Sequence, residues 1–362
     1  MQRYNNVDLL RFIFAVFIII FHCHGMPFFR PILDSCPGII RGNICVDYFF
    51  IIGGFFLFYL INKNFPTLEF VKKKFFRLAP LMWLSVGIIF ILNLLCNEIK
   101  FELVPNILRC FLLTNIGFTG KNGLVSAIPW FVSVYFWVSI FYFYIYKIFD
   151  KKYLNLIICL IVFIGSTMYY SCCFNATAGN TRVVLGFIDI GLLRGLIGMG
   201  IGYLISEIYK KKMLFNLSLF GKTLCTFIEF GTLYFIFYYM TVSNKIPTQS
   251  AFVFKFMFAI LLYLLLIKQG YIAKLLNNKW LGFPGKYSYA MYMIHWVVIK
   301  YFYYIAYPHH RHYYNHHPWV VILYIVLITI GISIVVHHLY EKPVGKYLTG
   351  KFPFNNEKRG ET

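Results

Sequence analysis

Ten predominantly apolar runs recur along this 362-residue chain, each close to the roughly 17–22 residues that a helix needs to cross a bilayer. They cover Leu9–Met26, Ile44–Ile61, Leu81–Cys96, Trp130–Phe149, Leu154–Tyr170, Phe187–Ile208, Leu224–Val242, Phe252–Ile267, Tyr287–Tyr307 and Trp319–Leu339. Hydrocarbon offers the backbone no water to bond with, so each run must satisfy its amides internally as a helix. With 13% charged residues against 60% hydrophobic ones, the chain lacks the charge to cover a soluble domain. The expected fold is all-α: a polytopic membrane helix bundle of about ten transmembrane helices. Residues 1–345 form one membrane domain, and 346–362 form a short basic tail.

Orientation follows from the basic residues. Alternate loops, counted from the N-terminus, hold about 22 of the Lys/Arg on one side and about 8 on the other, the asymmetry that marks a cytoplasmic face. Both termini are expected in the cytoplasm, and the plasma (cell inner) membrane is the expected location. The formal charge of +21 is spread over short loops bordering lipid, so anionic headgroups of the bilayer, not nucleic acid, are its expected partners. The first run opens with a basic residue like a signal peptide, but His-Cys-His-Gly-Met-Pro follows it and offers no small-residue cleavage site. Cys36 and Cys45 would flank an outer loop, where a disulfide is one option. No cysteine spacing suits a metal, and the histidine-rich stretch His309–His317 lacks the carboxylates or thiols of a metal centre. No metal is expected.

Ionisable groups inside a bilayer are costly, so each is a candidate for function. Arg11 and His22 are eleven residues apart, three helical turns plus roughly 20°, so they share one face about 16 Å apart along the axis. Singly they read as a snorkelling cation and an interfacial imidazole; together they line a path. Asp47 opens the second run at nearly the depth of His22, either as a helix cap or as a carboxylate that orients the imidazole. Lys74 and Arg77, three residues apart before the third run, form a basic clamp suited to phosphate oxygens, or an ordinary positive loop. Arg194 lies among glycines spaced for close helix packing and needs an anionic partner. Ser288 and His295, seven residues apart on one face, are tentative ligand-lining groups.

These residues resemble a known pattern. Asp8-Leu9-Leu10-Arg11, ten residues and His22 resemble the opening of the integral-membrane acyltransferase-3 family. In order along the chain, DYFFIIGGF is similar to its D-x-F-F-x-x-S-G-F, KKKFFRLAP to its R-x-x-R-x-x-P, and PWFVSVYFW to its fourth span. RGLIGMGIGY, YSYAMYMIHW and Glu341-Lys342-Pro343 complete the collinear series. Three positions depart from it. Gly53 stands where the family has Ser, Lys74 replaces the first Arg of the clamp, and Tyr135 stands where many members carry Glu. The last departure looks more like the exopolysaccharide and capsule branch.

The resemblance implies an O-acyltransferase, with acetyl the usual group, that draws on cytoplasmic acyl-CoA. The acceptor would be a sugar hydroxyl of a cell-envelope glycan or a lipid-linked sugar. Arg11, Lys74 and Arg77 would hold the CoA phosphates, and His22 would act as general base with Asp47 behind it. A covalent acyl-His intermediate is the mechanistic alternative. No cofactor is implied, since acyl-CoA is a co-substrate. A reading from another class, a transporter or flippase for a glycan or anion, would use Arg194 and Lys255 as interior cations.

On this topology the 309–317 segment lies outside and the 72–77 segment inside. Single cysteines placed at each, in an otherwise cysteine-free chain, are expected to react with a membrane-impermeant maleimide in intact cells only at 309–317. Labelling of the 72–77 position alone would invert the topology.

Overall fold

The computed structural model describes residues 3–96, 103–114, 129–173, 183–184, 188–211, 217–242 and 251–350. Sixteen α-helices occupy them in chain order. They are α1 (Asn5–His22), α2 (Arg30–Ser35), α3 (Cys45–Leu60), α4 (Thr67–Leu95), α5 (Leu103–Phe111), α6 (Pro129–Ile148), α7 (Lys151–Cys173) and α8 (Ile190–Lys210). They continue as α9 (Leu219–Thr241), α10 (Ala251–Ile267), α11 (Tyr271–Leu276), α12 (Lys279–Gly282), α13 (Ser288–Tyr301), α14 (Tyr307–His316), α15 (Pro318–Val336) and α16 (Lys342–Gly350). Among the described residues the strands are β1 (Val183–Val184) and β2 (Ile188–Asp189), an antiparallel pair. Eight helical stretches are long and apolar enough to cross a membrane. The other two expected spans are α10 and α13, which is 14 residues long and continues through a π-helical turn at Phe302–Ala306. The chain is a multi-pass, all-α membrane protein.

Several expectations change. The third span starts at Thr67, just after Pro66, so the basic clamp is the first half of a 29-residue helix and not a loop. Pro80 lies inside that helix. It removes one amide donor and crowds the preceding turn, which kinks rather than ends a helix held by packed neighbours. The His309–His317 segment is largely helical too, within α14, with His310 off helical geometry. Cys36 and Cys45 are free thiols, and Cys45 instead donates to the Met240 sulfur. Of the expected tail, residues 346–350 belong to α16 and the remainder lies outside the described residues.

The deepest packing joins α3 to α8, and glycine makes it possible. A Cβ on Gly54 would run into the backbone of Met199, and one on Gly202 into the backbone of Ile51 and Phe55. Without those side chains two helices approach backbone to backbone, the contact that substitutes for a hydrophobic driving force within lipid. The β2 residue Asp189 caps α8 by accepting the Gly191 amide.

A second close approach sets α1 against α13. The turn Phe283–Tyr287 precedes α13, and a Cβ on Gly285 would strike Asp8 of α1, as one on Gly282 would strike Asn5. At the other end the rings of His22 and His295 meet. The two helices therefore run side by side in the same direction. Each supplies side chains to two hydrophobic clusters, one built with α3, α4, α6, α8 and α10, the other with α15 and the segment around Phe28–Ile39.

Gly54→Leu is expected to lower stability by about 3 kcal/mol or more, because the obstructing atoms are backbone and cannot turn aside. Gly87, with nothing within 4 Å of its Cβ position, should accept Ala with no loss. Thermal unfolding in detergent checks both. Equal melting temperatures for Gly54→Leu and wild type would mean that α3 and α8 separate without cost.

Candidate active site

One tyrosine, Tyr135 of α6, stands at the expected clamp. The Lys74 ammonium lies 4.2 Å from the centre of the Tyr135 ring. Arg77, one turn further along α4, and Arg11, from α1, are close enough for their charges to act on the Tyr135 hydroxyl. Arg77 is exposed, while Lys74 and Arg11 are half-buried. Arg11 also donates to Asp8 at 3.0 Å. Exposure matters here, because a cation that anions can reach is able to bind them, whereas one sealed in protein is not.

The two departures noted at Gly53 and Tyr135 turn out to be one contact. A Cβ on Gly53 would overlap the Tyr135 ring, so the phenol fits among the cations because position 53 has no side chain. From Tyr135 a chain of rings leads on. Tyr135 stacks on Phe131, Phe131 meets Tyr292 edge-on with centroids 5.1 Å apart, Tyr292 lies 5.6 Å from His295, and His295 lies 5.1 Å from His22. This row joins the clamp to the imidazole through α6 and α13. Sequence reading picked out its ends and missed Phe131 and Tyr292, which look like any other apolar span residues.

His22 is the last residue of α1 and is half-buried. Trp296 stands edge-on to it, centroids 5.2 Å apart, and the indole N–H has no hydrogen-bond partner among the described residues. Ser288 opens α13 at the Arg11 end of the pair; it is buried, and its hydroxyl has no partner among the described residues. His295 lies two turns on, fully buried. The face shared by Ser288 and His295 thus runs parallel to the face shared by Arg11 and His22.

Asp47 does not orient His22. Its Oδ1 takes Arg194 Nε at 3.0 Å and Lys255 Nζ at 2.5 Å, tying α3 to α8 and α10. Arg194 also donates to the Asn43 carbonyl at 2.9 Å and stands over the Trp130 ring, and Lys255 stands over Tyr169. All three charges are essentially sealed, with side chains 1%, 6% and 0% exposed. The partner that Arg194 needed is therefore Asp47, and Arg194 is not placed to line a ligand. The physical reason is desolvation: two buried cations outbid a neutral imidazole for a carboxylate. Another ionisable group, Glu229 of α9, escaped the sequence reading. It is buried and accepts the Ala273 amide at 3.1 Å, capping α11, and Gly270 makes room for it.

At the end of α15 a π-helical turn, His337–Glu341, pairs His337 Nδ1 with Glu341 Oε2 at 2.8 Å. His338 meets the Tyr287 hydroxyl at 3.2 Å, which brings the close of the chain to the face where α1 begins. Among the described residues no group of three His, Cys, Asp or Glu side chains is arranged to hold a metal.

Comparison with known proteins gives three findings. A family model described as an acyltransferase domain matches residues 4–338. An amino-acid racemase of Enterococcus faecalis is 29% identical over 104 residues, which is 28% of this chain and 15% of that protein. The chain thus spans a small part of that relative's length. No solved structure matches.

Asp47→Asn is expected to cost about 3–5 kcal/mol of stability, since it strands two buried cations. Adding Lys255→Met should recover part of that loss, because Arg194 keeps the Asn43 carbonyl. Unfolding of detergent-solubilised variants measures this. Wild-type stability in Asp47→Asn together with loss of activity would return Asp47 to a chemical role.

Proposed function

The chain belongs to the acyltransferase-domain family, and from that premise we propose that it is an O-acyltransferase moving an acyl group, acetyl foremost, from cytoplasmic acyl-CoA to a sugar hydroxyl of a cell-envelope glycan. The carrying observation is the row of rings from the Arg11, Lys74 and Arg77 cluster to His22. The reading places both termini in the cytoplasm and the protein in the plasma membrane, in keeping with the basic asymmetry of the loops. Residues 1–345 would be the catalytic domain and 346–362 its basic tail.

In this reading the CoA phosphates rest on Arg77, Lys74 and Arg11, where guanidinium forks and an ammonium match their oxygens. The pantetheine arm, comparable in length to the roughly 16 Å between Arg11 and His22, follows Tyr135, Phe131 and Tyr292 of the aromatic row. The thioester then lies beside His22, and the acceptor hydroxyl approaches from the far side. The hydroxyl proton passes to His22 as its oxygen bonds the carbonyl carbon. The carbon–sulfur bond breaks, and the proton moves from His22 to the departing sulfur. A general base of this kind contributes about 10²–10⁴ in rate. Ser288, at the Arg11 end, would touch the donor in this reading.

Transport is the weaker reading, for a specific reason. The interior cations that would draw an anion through the bundle, Arg194 and Lys255, are engaged by Asp47. The racemase similarity carries no activity over, given the small share of that protein involved.

Arg11→Ala and Arg77→Ala are each expected to weaken acetyl-CoA binding about tenfold or more, at 1.4 kcal/mol per decade. His22→Ala should bind acetyl-CoA as wild type does and transfer nothing. Calorimetry with acetyl-CoA and assay of acetyl transfer to de-O-acetylated envelope glycan test this together. Normal donor binding in both arginine variants would remove the clamp assignment, and transfer by His22→Ala would remove the base.

A further inference from the structure

With Asp47 engaged elsewhere, the group that orients His22 has to be found among its neighbours. The aromatic rings in contact with His22 are Phe21, Trp296 and His295. Phe21 offers no polar atom, and the indole of Trp296 only donates. Of these three, His295 has a nitrogen able to accept; His24, two residues on, is exposed and turned to the Phe21 carbonyl through Nδ1 at 2.6 Å.

The His295 tautomer is fixed by the fold. His295 Nδ1 lies 3.3 Å from the Met291 carbonyl, one turn earlier on α13. A carbonyl only accepts, so Nδ1 carries the hydrogen and Nε2 presents its lone pair. That Nε2 is fully buried and has no hydrogen-bond partner among the described residues. Stranding a polar atom in this way costs about 1–3 kcal/mol, so the fold keeps it there against a penalty. The ring lies beside His22 with centroids 5.1 Å apart and planes inclined by 35°, so a turn of the His22 ring, with His295 held by Met291, brings an N–H toward Nε2.

We infer that His295 is a positioning residue for the base: its Nε2 accepts the N–H of His22, leaving the other His22 nitrogen with its lone pair toward the half-open side where the acceptor hydroxyl arrives. The inference rests on the reading of His22 as general base and deepens it. The arrangement follows base-and-orienter logic, with a neutral imidazole where a carboxylate more often stands. When His22 takes the hydroxyl proton, its second N–H is already bonded to His295, so the imidazolium forms without turning away from the thioester. His295 itself touches neither donor nor acceptor.

Three variants separate this role from simple packing. His295→Phe keeps a planar ring and removes both nitrogens. His295→Gln can set its amide oxygen near the place of Nε2, whereas His295→Asn reaches only as far as Nδ1. The protein is assayed full-length in nanodiscs, with acetyl-CoA as donor and de-O-acetylated envelope glycan as acceptor. His295→Phe and His295→Asn should lose about 10–100-fold in kcat, with KM for acetyl-CoA unchanged, and His295→Gln should recover most of the loss. Wild-type kcat in His295→Phe, or equal losses in the Gln and Asn variants, would overturn the inference, and the second comparison holds even if the Phe variant fails to insert. His22→Ala in the same assay tells the two failures apart. If it transfers acetyl, the base reading falls and this inference with it; if it is inactive while His295→Phe is unimpaired, only the inference falls.

Discussion

The arrangement depends on one helix pairing: α1 and α13 lying parallel, with Gly282 and Gly285 seated on the backbone of Asn5 and Asp8. A side chain at either glycine would push the pair apart at the end where Arg11 and Ser288 lie. Because the register is fixed there by backbone contact, it is also fixed two to three turns on, where His22 meets His295. Cores pack at crystal-like density and transmit displacement, so a shift of one turn at Asp8 would part the two imidazoles by about 5.4 Å. The two hydrophobic clusters close on either side of this pair and hold it.

The charges in the bundle divide by solvation. Asp47, Arg194 and Lys255 are sealed, mutually paired, and set three helices in place. Arg11, Lys74 and Arg77 are half-buried or exposed; Arg11 pairs with Asp8, and Lys74 stands over the Tyr135 ring. These three cations, of which Arg11 is paired with Asp8, leave a net positive, partly desolvated spot, where a phosphate gains more than it would in water. The same contrast argues against a transport path through the sealed group.

Much of this was legible in the sequence because it is local. Span positions follow from apolar length, and the shared face of Arg11 and His22 follows from 3.6 residues per turn. The same arithmetic relates Ser288 to His295. What was not legible is tertiary. Asp47 and Arg194 are 147 residues apart, and nothing in the periodicity near Asp47 distinguishes a salt-bridged carboxylate from one beside His22. Gly53 and Tyr135 each read as a lost functional group, although in space the absence of a side chain at one makes room for the ring of the other. Glu229 was passed over for a similar reason: its partners, the amides opening α11, lie beyond the next span. The apolar run that marks the third span begins only at Leu81, so the lysines before it look like a loop, whereas the helix starts after Pro66.

The central claim is that one path runs from the Arg11, Lys74 and Arg77 cluster to His22 and is filled by the acyl donor. Electron cryomicroscopy of the full-length protein in nanodiscs, saturated with a non-hydrolysable acetyl-CoA analogue, tests it directly. The account predicts phosphate density against Arg77, Lys74 and Arg11, and the acetyl carbonyl beside His22, with the pantetheine arm along Tyr135, Phe131 and Tyr292. Analogue density approaching His22 from the α14 side, or lodged away from the α1–α13 pair, would contradict it.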